Sequence, residues 1–382
     1  MKVCPTYGPG YFYLPGSDTC VKITPRVTWD TLIANPVKRT SGSANFRTRA
    51  YIQADTRQNT EYGLLRTYVS LYGEFQRTTG AMKTLGNAAD ANSVQADAAF
   101  IQFGGLTAGR YDPLIGSGYG YGYAYAGAVK VRDPVTDGPT NGIMYTASLG
   151  NGVSLTVGLE DQTASRVTAS STAGYGVPDL IGKIKVDQAW GSVFLAGGTH
   201  EVRGTNASYT GSAGDTGYGY AVRGGAKINL PMLAAGDSIA FEAAYGSGFN
   251  AAVFNGYNVA DANISVGAYK FSAPDAVGDL NNQMTKSWSV GGGFEHYWVP
   301  TVSTTLFGHY ASIDQYGPNN TVNIYSIGSK TAWSPVKGLV IGGEVYYSKL
   351  THDTAMTNVT VDTTGGKKTD QWTGRLRVSR AF

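Results

Sequence analysis

Charge is scarce in this 382-residue chain. Lys, Arg, Asp and Glu together make up 15% of it, against roughly a quarter of an ordinary soluble domain. A compact globule with a charged skin is therefore a poor fit. Cysteine is nearly absent, and two cysteines with four scattered histidines give no ligand-spaced metal cluster. No apolar run approaches the ~18 residues that a spanning helix needs. His200-Glu201 lacks the second histidine of H-E-x-x-H, and G-x-S-x-G does not occur, so the zinc-peptidase and serine-hydrolase templates both fail. The glycine run over 116–122 reads G-x-G-x-G-x-G, which is not a dinucleotide-binding fingerprint. A net charge of +3 with interspersed acids leaves no basic footprint for nucleic acid. Met1-Lys2-Val3-Cys4-Pro5 also lacks the apolar stretch of a secretory signal. The expectation is a cytoplasmic protein or a mature chain with an added initiator methionine.

What is present is 42% hydrophobic residues, 12% aromatics, 52 glycines and 26 tyrosines. This mixture disfavours helix interiors and suits strands and turns. Period-2 alternation recurs along the chain. Arg47, Arg49, Gln53 and Asp55 share one face of residues 46–55. Val153, Leu155, Val157 and Leu159 oppose Ser154, Thr156 and Glu160, and Ile239, Phe241, Ala243 and Tyr245 oppose Ser238, Ala240 and Glu242. Such segments are strands with one apolar and one polar face. Short turn signals such as Asn151-Gly152 and Val336-Lys337-Gly338 take turns with long polar stretches, among them 75–92, 111–141, 161–178, 202–217 and 247–282. The pattern predicts about sixteen strands, near 21–33, 44–55, 61–74, 93–103, 105–110, 142–149, 152–160, 179–188, 191–201, 217–229, 238–246, 284–297, 301–312, 322–333, 339–349 and 370–382.

Sixteen amphipathic strands joined alternately by tight and long connections predict an all-β fold, a transmembrane antiparallel β-barrel forming a single unit over 1–382. In lipid every backbone N–H and C=O needs a partner, so the sheet must close. The polar face then lines the interior and the apolar face meets lipid. Outward Tyr145, Trp298, Trp333 and Tyr347 are expected in interfacial girdles. Cys4 and Cys20 enclose CPTYGPGYFYLPGSDTC. A bridge there would contribute about 3 kcal/mol in the chain-entropy model, and two free thiols are the alternative.

The last strand alternates to its end, with Trp372, Leu376, Val378 and Phe382 on one face, Arg380 the exception, and Arg375, Arg377 and Ser379 on the other. Its terminal Phe382 resembles the C-terminal insertion signal of outer-membrane barrels. The opening run from Cys4 through Tyr7-Gly8-Pro9-Gly10-Tyr11-Phe12-Tyr13-Leu14-Pro15-Gly16 to Thr19-Cys20 resembles the start of mature alphaproteobacterial, rhizobial-type porins. The likeness extends to Glu61–Tyr68 and to the closing Arg-Ala-Phe. It implies a homotrimeric, sixteen-stranded general diffusion porin in the outer membrane, in contact with lipid and lipopolysaccharide. Ions and small hydrophilic solutes would pass through it with no cofactor needed. It further implies that the third long loop folds into the pore.

Alternation assigns the inward basic set as Arg47, Arg49, Arg66, Lys183, Lys185, Arg223, Lys227, Arg375 and Arg377. The inward acids are Asp55, Asp97, Glu160, Asp187, Glu242 and Glu344. Closure would bring Arg375 and Arg377 near Arg47, Arg49 and Arg66 as one basic wall, predicting a mild anion preference. Pairing of each Arg with a loop carboxylate is the alternative. The constriction is expected in the third connection, 111–141, with Tyr111, Asp112, Tyr119, Tyr121, Tyr123, Tyr125, Lys130, Arg132 and Asp133. Its glycine-tyrosine run carries no charge, so it can offer stacking to sugars instead of one side of a field. A substrate-selective channel and an adhesion or structural barrel are the rival functions.

Overall fold

The computed structural model describes residues 2–34, 44–76, 93–116, 118–119, 124–125, 139–161, 176–203, 216–253, 263–266, 269–272, 275–276, 284–315, 320–353, 359–361 and 370–382. Sixteen long strands follow one another: β1 Cys20–Ala34, β2 Ala44–Thr60, β3 Gly63–Gln76, β4 Ser93–Phe103, β5 Leu106–Tyr111, β6 Thr140–Gly150, β7 Val153–Glu160 and β8 Asp179–Gln188. The second half comprises β9 Gly191–Arg203, β10 Thr216–Asn229, β11 Ser238–Ser247, β12 Lys286–Val299, β13 Val302–Asp314, β14 Thr321–Val336, β15 Leu339–His352 and β16 Asp370–Ala381. Every strand pairs antiparallel with the next. The last returns to the first, from Arg26 opposite Ala381 to Ala34 opposite Thr373. The sheet is closed, as the alternation predicts.

Closure fixes which side chains face in. In β7, Leu155, Val157 and Leu159 are exposed while Thr156, Gly158 and Glu160 are buried. β11 repeats that alternation from Ser238 to Gly246. The usual core is inverted, with the large apolar side chains outside. Among the described residues an apolar cluster also sits within, where Leu114 and Ile115 of the third connection and Phe249 and Val253 of the sixth meet inward Ile181, Phe194 and Ile313.

An even strand number brings both ends of the barrel to the rim of the short turns. There β1 runs past β16, because the Phe382 N–H already bonds the Pro25 carbonyl at 3.1 Å. The edge of β1 below Pro25 would be left open. The N-terminal segment fills it: Phe12 and Tyr13 pair with Val21 and Cys20. Of the two states left open for the thiols, the bridge is the one formed, and Cys4 and Cys20 are disulfide-bonded with Cα atoms 6.1 Å apart. At the opposite rim, short strands 263–266, 269–272 and 359–361 form a three-stranded sheet. It ties the sixth long connection to the eighth.

Candidate functional site

All nine predicted cations lie on inward faces, but most meet carboxylates. Arg47 of β2 and Arg377 of β16 converge on Asp30 of β1, at 2.7 and 2.6 Å. Barrel closure thus joins the two ends of the chain as expected, through an acid that the sequence reading omits. Arg49 is buried against Glu74, its guanidinium 4.9 Å from the Tyr72 ring. Arg66 shares Asp55 with Arg57, at 3.0 and 2.9 Å. Lys185 pairs with Asp187 at 2.9 Å, and Arg223 is buried with Glu242. Lys183 donates to the Leu114 carbonyl at 3.3 Å, and Lys227 is half-buried on the face of β10 that carries Arg223. Arg375 donates to the Tyr125 carbonyl at 3.3 Å and has no carboxylate within ion-pair distance among the described residues.

The third connection meets this lining through its backbone. Tyr111 is the last residue of β5, buried, and so belongs to the wall and not to the loop. Half-buried Asp112 follows it. Three wall carboxylates then accept loop N–H groups in turn: Glu160 that of Leu114 at 2.7 Å, Glu242 that of Tyr119, and Glu344 that of Tyr125. The Tyr119 ring stands edge-on to Phe194, 5.2 Å between centroids. The Tyr125 ring lies 4.5 Å from the Arg377 guanidinium and 5.3 Å from the Lys330 ammonium. These contacts pass from β7 to β15 and β16. Tyr121, Tyr123, Lys130, Arg132 and Asp133 lie outside the described residues. Among the described residues no group of three or more His, Cys, Asp or Glu is placed to hold a metal ion.

Residues 1–375 match the family described as the porin subfamily. The chain belongs to that family. Porin Omp2b of Brucella canis is 29% identical over 202 residues, which is 50% of this chain and 54% of the relative. The chain thus spans about half the length of the curated relatives it matches. Among solved structures, the outer membrane channel DcaP of Acinetobacter baumannii superposes with TM-score 0.71 at 14% identity, covering 97% of this chain and 99% of DcaP. OmpT of Vibrio cholerae, in a trimer form, gives TM-score 0.58 at 8% identity over 96% of this chain and 100% of that one. Both are likenesses of fold. The chain is an outer-membrane β-barrel porin and its family is not one of enzymes.

In this porin the lumenal acids are more numerous than alternation suggested. Asp30, Glu74, Asp179 and Glu295 are added to the six read from sequence, and Arg26, Arg57 and Lys330 to the cations. The signal was available: Asp30 follows exposed Trp29 in the alternating first strand, and Glu74 lies two residues beyond Tyr72 on the face of Arg66. A cluster around His200 was not legible at all. Its imidazole Nδ1 is 2.8 Å from Asp179, its Nε2 is 3.6 Å from Asp275, and its ring stacks on Phe249 at 4.7 Å. Asp275 and Phe249 come from the sixth long connection, so the cluster fastens that connection to the wall. The exposed C-terminal Phe382 lies 5.2 Å from the Arg380 guanidinium.

Proposed function

We propose that this porin is a general diffusion channel, offering ions and small hydrophilic solutes a water-filled path across the outer membrane with a slight lean toward anions. The observation that carries the reading is the inverted lining. Paired charges and hydroxyls face the interior of a closed barrel, and a belt of aliphatic and aromatic side chains faces outward. Such a lining stabilises water and solvated ions without retaining a solute. The third connection is the constriction element, because its Leu114, Tyr119 and Tyr125 amides reach wall carboxylates on three separated strands. The functional unit is a homotrimer seated in lipid and lipopolysaccharide, in keeping with the family resemblance and with the trimer form of OmpT.

Single-channel recording in planar bilayers tests this. Stepwise conductance, in groups of three for a trimer, is expected, with a reversal potential in a KCl gradient displaced modestly toward chloride. Membranes that stay closed at every voltage would overturn the reading. The Tyr119 and Tyr125 rings at the wall favour one second reading, a sugar- or anion-selective channel. Concentration-dependent block by a single solute class would promote it over general diffusion.

A further inference from the structure

Tyr125 occupies a receptor built by three neighbouring strands. Glu344 on β15 accepts its N–H, Arg375 on β16 donates to its carbonyl at 3.3 Å, and its ring stands against Arg377 of β16 and Lys330 of β14 at 4.5 and 5.3 Å. Gly342, also on the inward side of β15, makes room for it: a Cβ there would collide with the Tyr125 hydroxyl. That hydroxyl is buried and has no hydrogen-bond partner among the described residues. The ring as a surface, and not its polar tip, is what the site holds.

We propose that Tyr125 is a selectivity-determining residue of the pore, its ring covering the cationic patch of Lys330, Arg375 and Arg377 and thereby weakening the pull on anions. The inference rests on the reading of the chain as a diffusion channel. An aromatic face attracts a cation through its quadrupole. It also fills the volume in which water or a passing anion would solvate that cation. Asp30 neutralises part of Arg377 and is shared with Arg47. Arg375, the third cation of the patch, is held by the backbone carbonyl of Tyr125, while Arg377 and Lys330 stand against the ring itself. A bulky uncharged cover placed there lowers anion preference more than any count of lumenal charges implies.

The full-length porin is reconstituted in planar bilayers, and reversal potentials are read in a KCl gradient for wild type, Tyr125→Ala, Tyr125→Phe, Gly342→Ala and the double variant Tyr125→Ala/Arg377→Gln. Tyr125→Ala is expected to raise the chloride-to-potassium permeability ratio about two- to fivefold, the Boltzmann weight of an exposed cation–π contact, and to raise conductance. Tyr125→Phe keeps the cover and should match wild type. Gly342→Ala displaces the ring without touching the loop and should move the ratio in the same direction as Tyr125→Ala. Adding Arg377→Gln to Tyr125→Ala should remove much of the gain, because Arg377 is the cation nearest the ring. The proposal is overturned if Tyr125→Ala leaves the ratio unchanged or shifts it toward potassium. It is equally overturned if loss of Arg377 leaves the gain undiminished, since widening alone would then explain it. A wild type that does not conduct overturns the channel reading itself, whereas a conducting wild type with an inert Tyr125→Ala overturns only this proposal.

Discussion

Arg49 and Glu74 face each other inside the barrel with side chains 3% and 7% exposed. At such burial, breaking the pair by removing one partner costs roughly 3–5 kcal/mol. Removing both can be close to neutral if shape is kept. Glu74→Gln is therefore expected to lower the thermal unfolding midpoint in detergent sharply, while Arg49→Met/Glu74→Leu recovers most of the loss. If the double variant is no better than the single one, Tyr51, Tyr72 and other neighbours of Arg49 carry the stabilisation instead. Alternation placed Arg47, Arg49, Arg66 and Arg377 on the inward faces, because facing is a local property of the pleat. It could not say that Arg47 and Arg377 would meet over one carboxylate, since Asp30 is 347 positions from Arg377 in sequence. Their convergence exists only once β16 pairs with β1.

Strands were legible for a related reason. Each carries its own two-faced pattern over eight or more residues, apart from the six-residue β5, and the tight turns between them have strong local signatures. The two-residue pairing of Phe12 and Tyr13 with β1 has no such pattern. It follows from where β16 stops. An unpaired stretch of β1 next to lipid would leave backbone donors and acceptors without partners. The disulfide holds the segment that covers them. Cys4→Ser/Cys20→Ser, or reduction of the wild type, is expected to cost about 3 kcal/mol without changing strand content by circular dichroism. An unfolding midpoint indifferent to reductant would show that the seam is held by Tyr11 and its neighbours alone. The turn between β10 and β11 yields a pH prediction. Burial acts to raise the Asp237 carboxyl, but hydrogen bonds from His296 and the Tyr297 N–H outweigh it and hold the group below the usual carboxylate range. A depressed acid contributes stability above its unfolded pKa and loses it as pH falls through the folded one. Asp237→Asn should thus be less stable than wild type near neutrality, with the gap narrowing below about pH 4. A gap constant with pH would assign the effect to packing.

For the barrel as a whole, the arrangement of charge matters more than its amount. A chain with 30 basic and 27 acidic residues could present one strong wall or a set of closed pairs, and composition is the same in both cases. The described lumen is mostly of the second kind, with Asp30, Asp55, Glu74 and Glu242 each bound to arginine. A pair acts on a passing ion as a dipole, whose field falls off faster than that of a single charge. What remains at long range is the small excess of cations, of which Arg375, bonded to a carbonyl, is the clearest contributor. Screening then decides how much of that excess an ion feels. The Debye length is about 30 Å at 0.01 M salt, longer than a pore radius, and about 3 Å at 1 M, shorter than the reach of an arginine. Anion preference should accordingly be weak at physiological salt, grow as salt is lowered and vanish near 1 M. Arg375→Gln should flatten that dependence more than Arg66→Gln, because Asp55 still has Arg57 and the local charge there starts near balance. Reversal potentials across a fixed concentration ratio, repeated from 0.01 to 1 M KCl, provide the measurement. A preference that persists at 1 M would point to direct contact of anions with lumenal groups. A cation preference at low salt would mean that carboxylates, and not Arg375, dominate the field along the path.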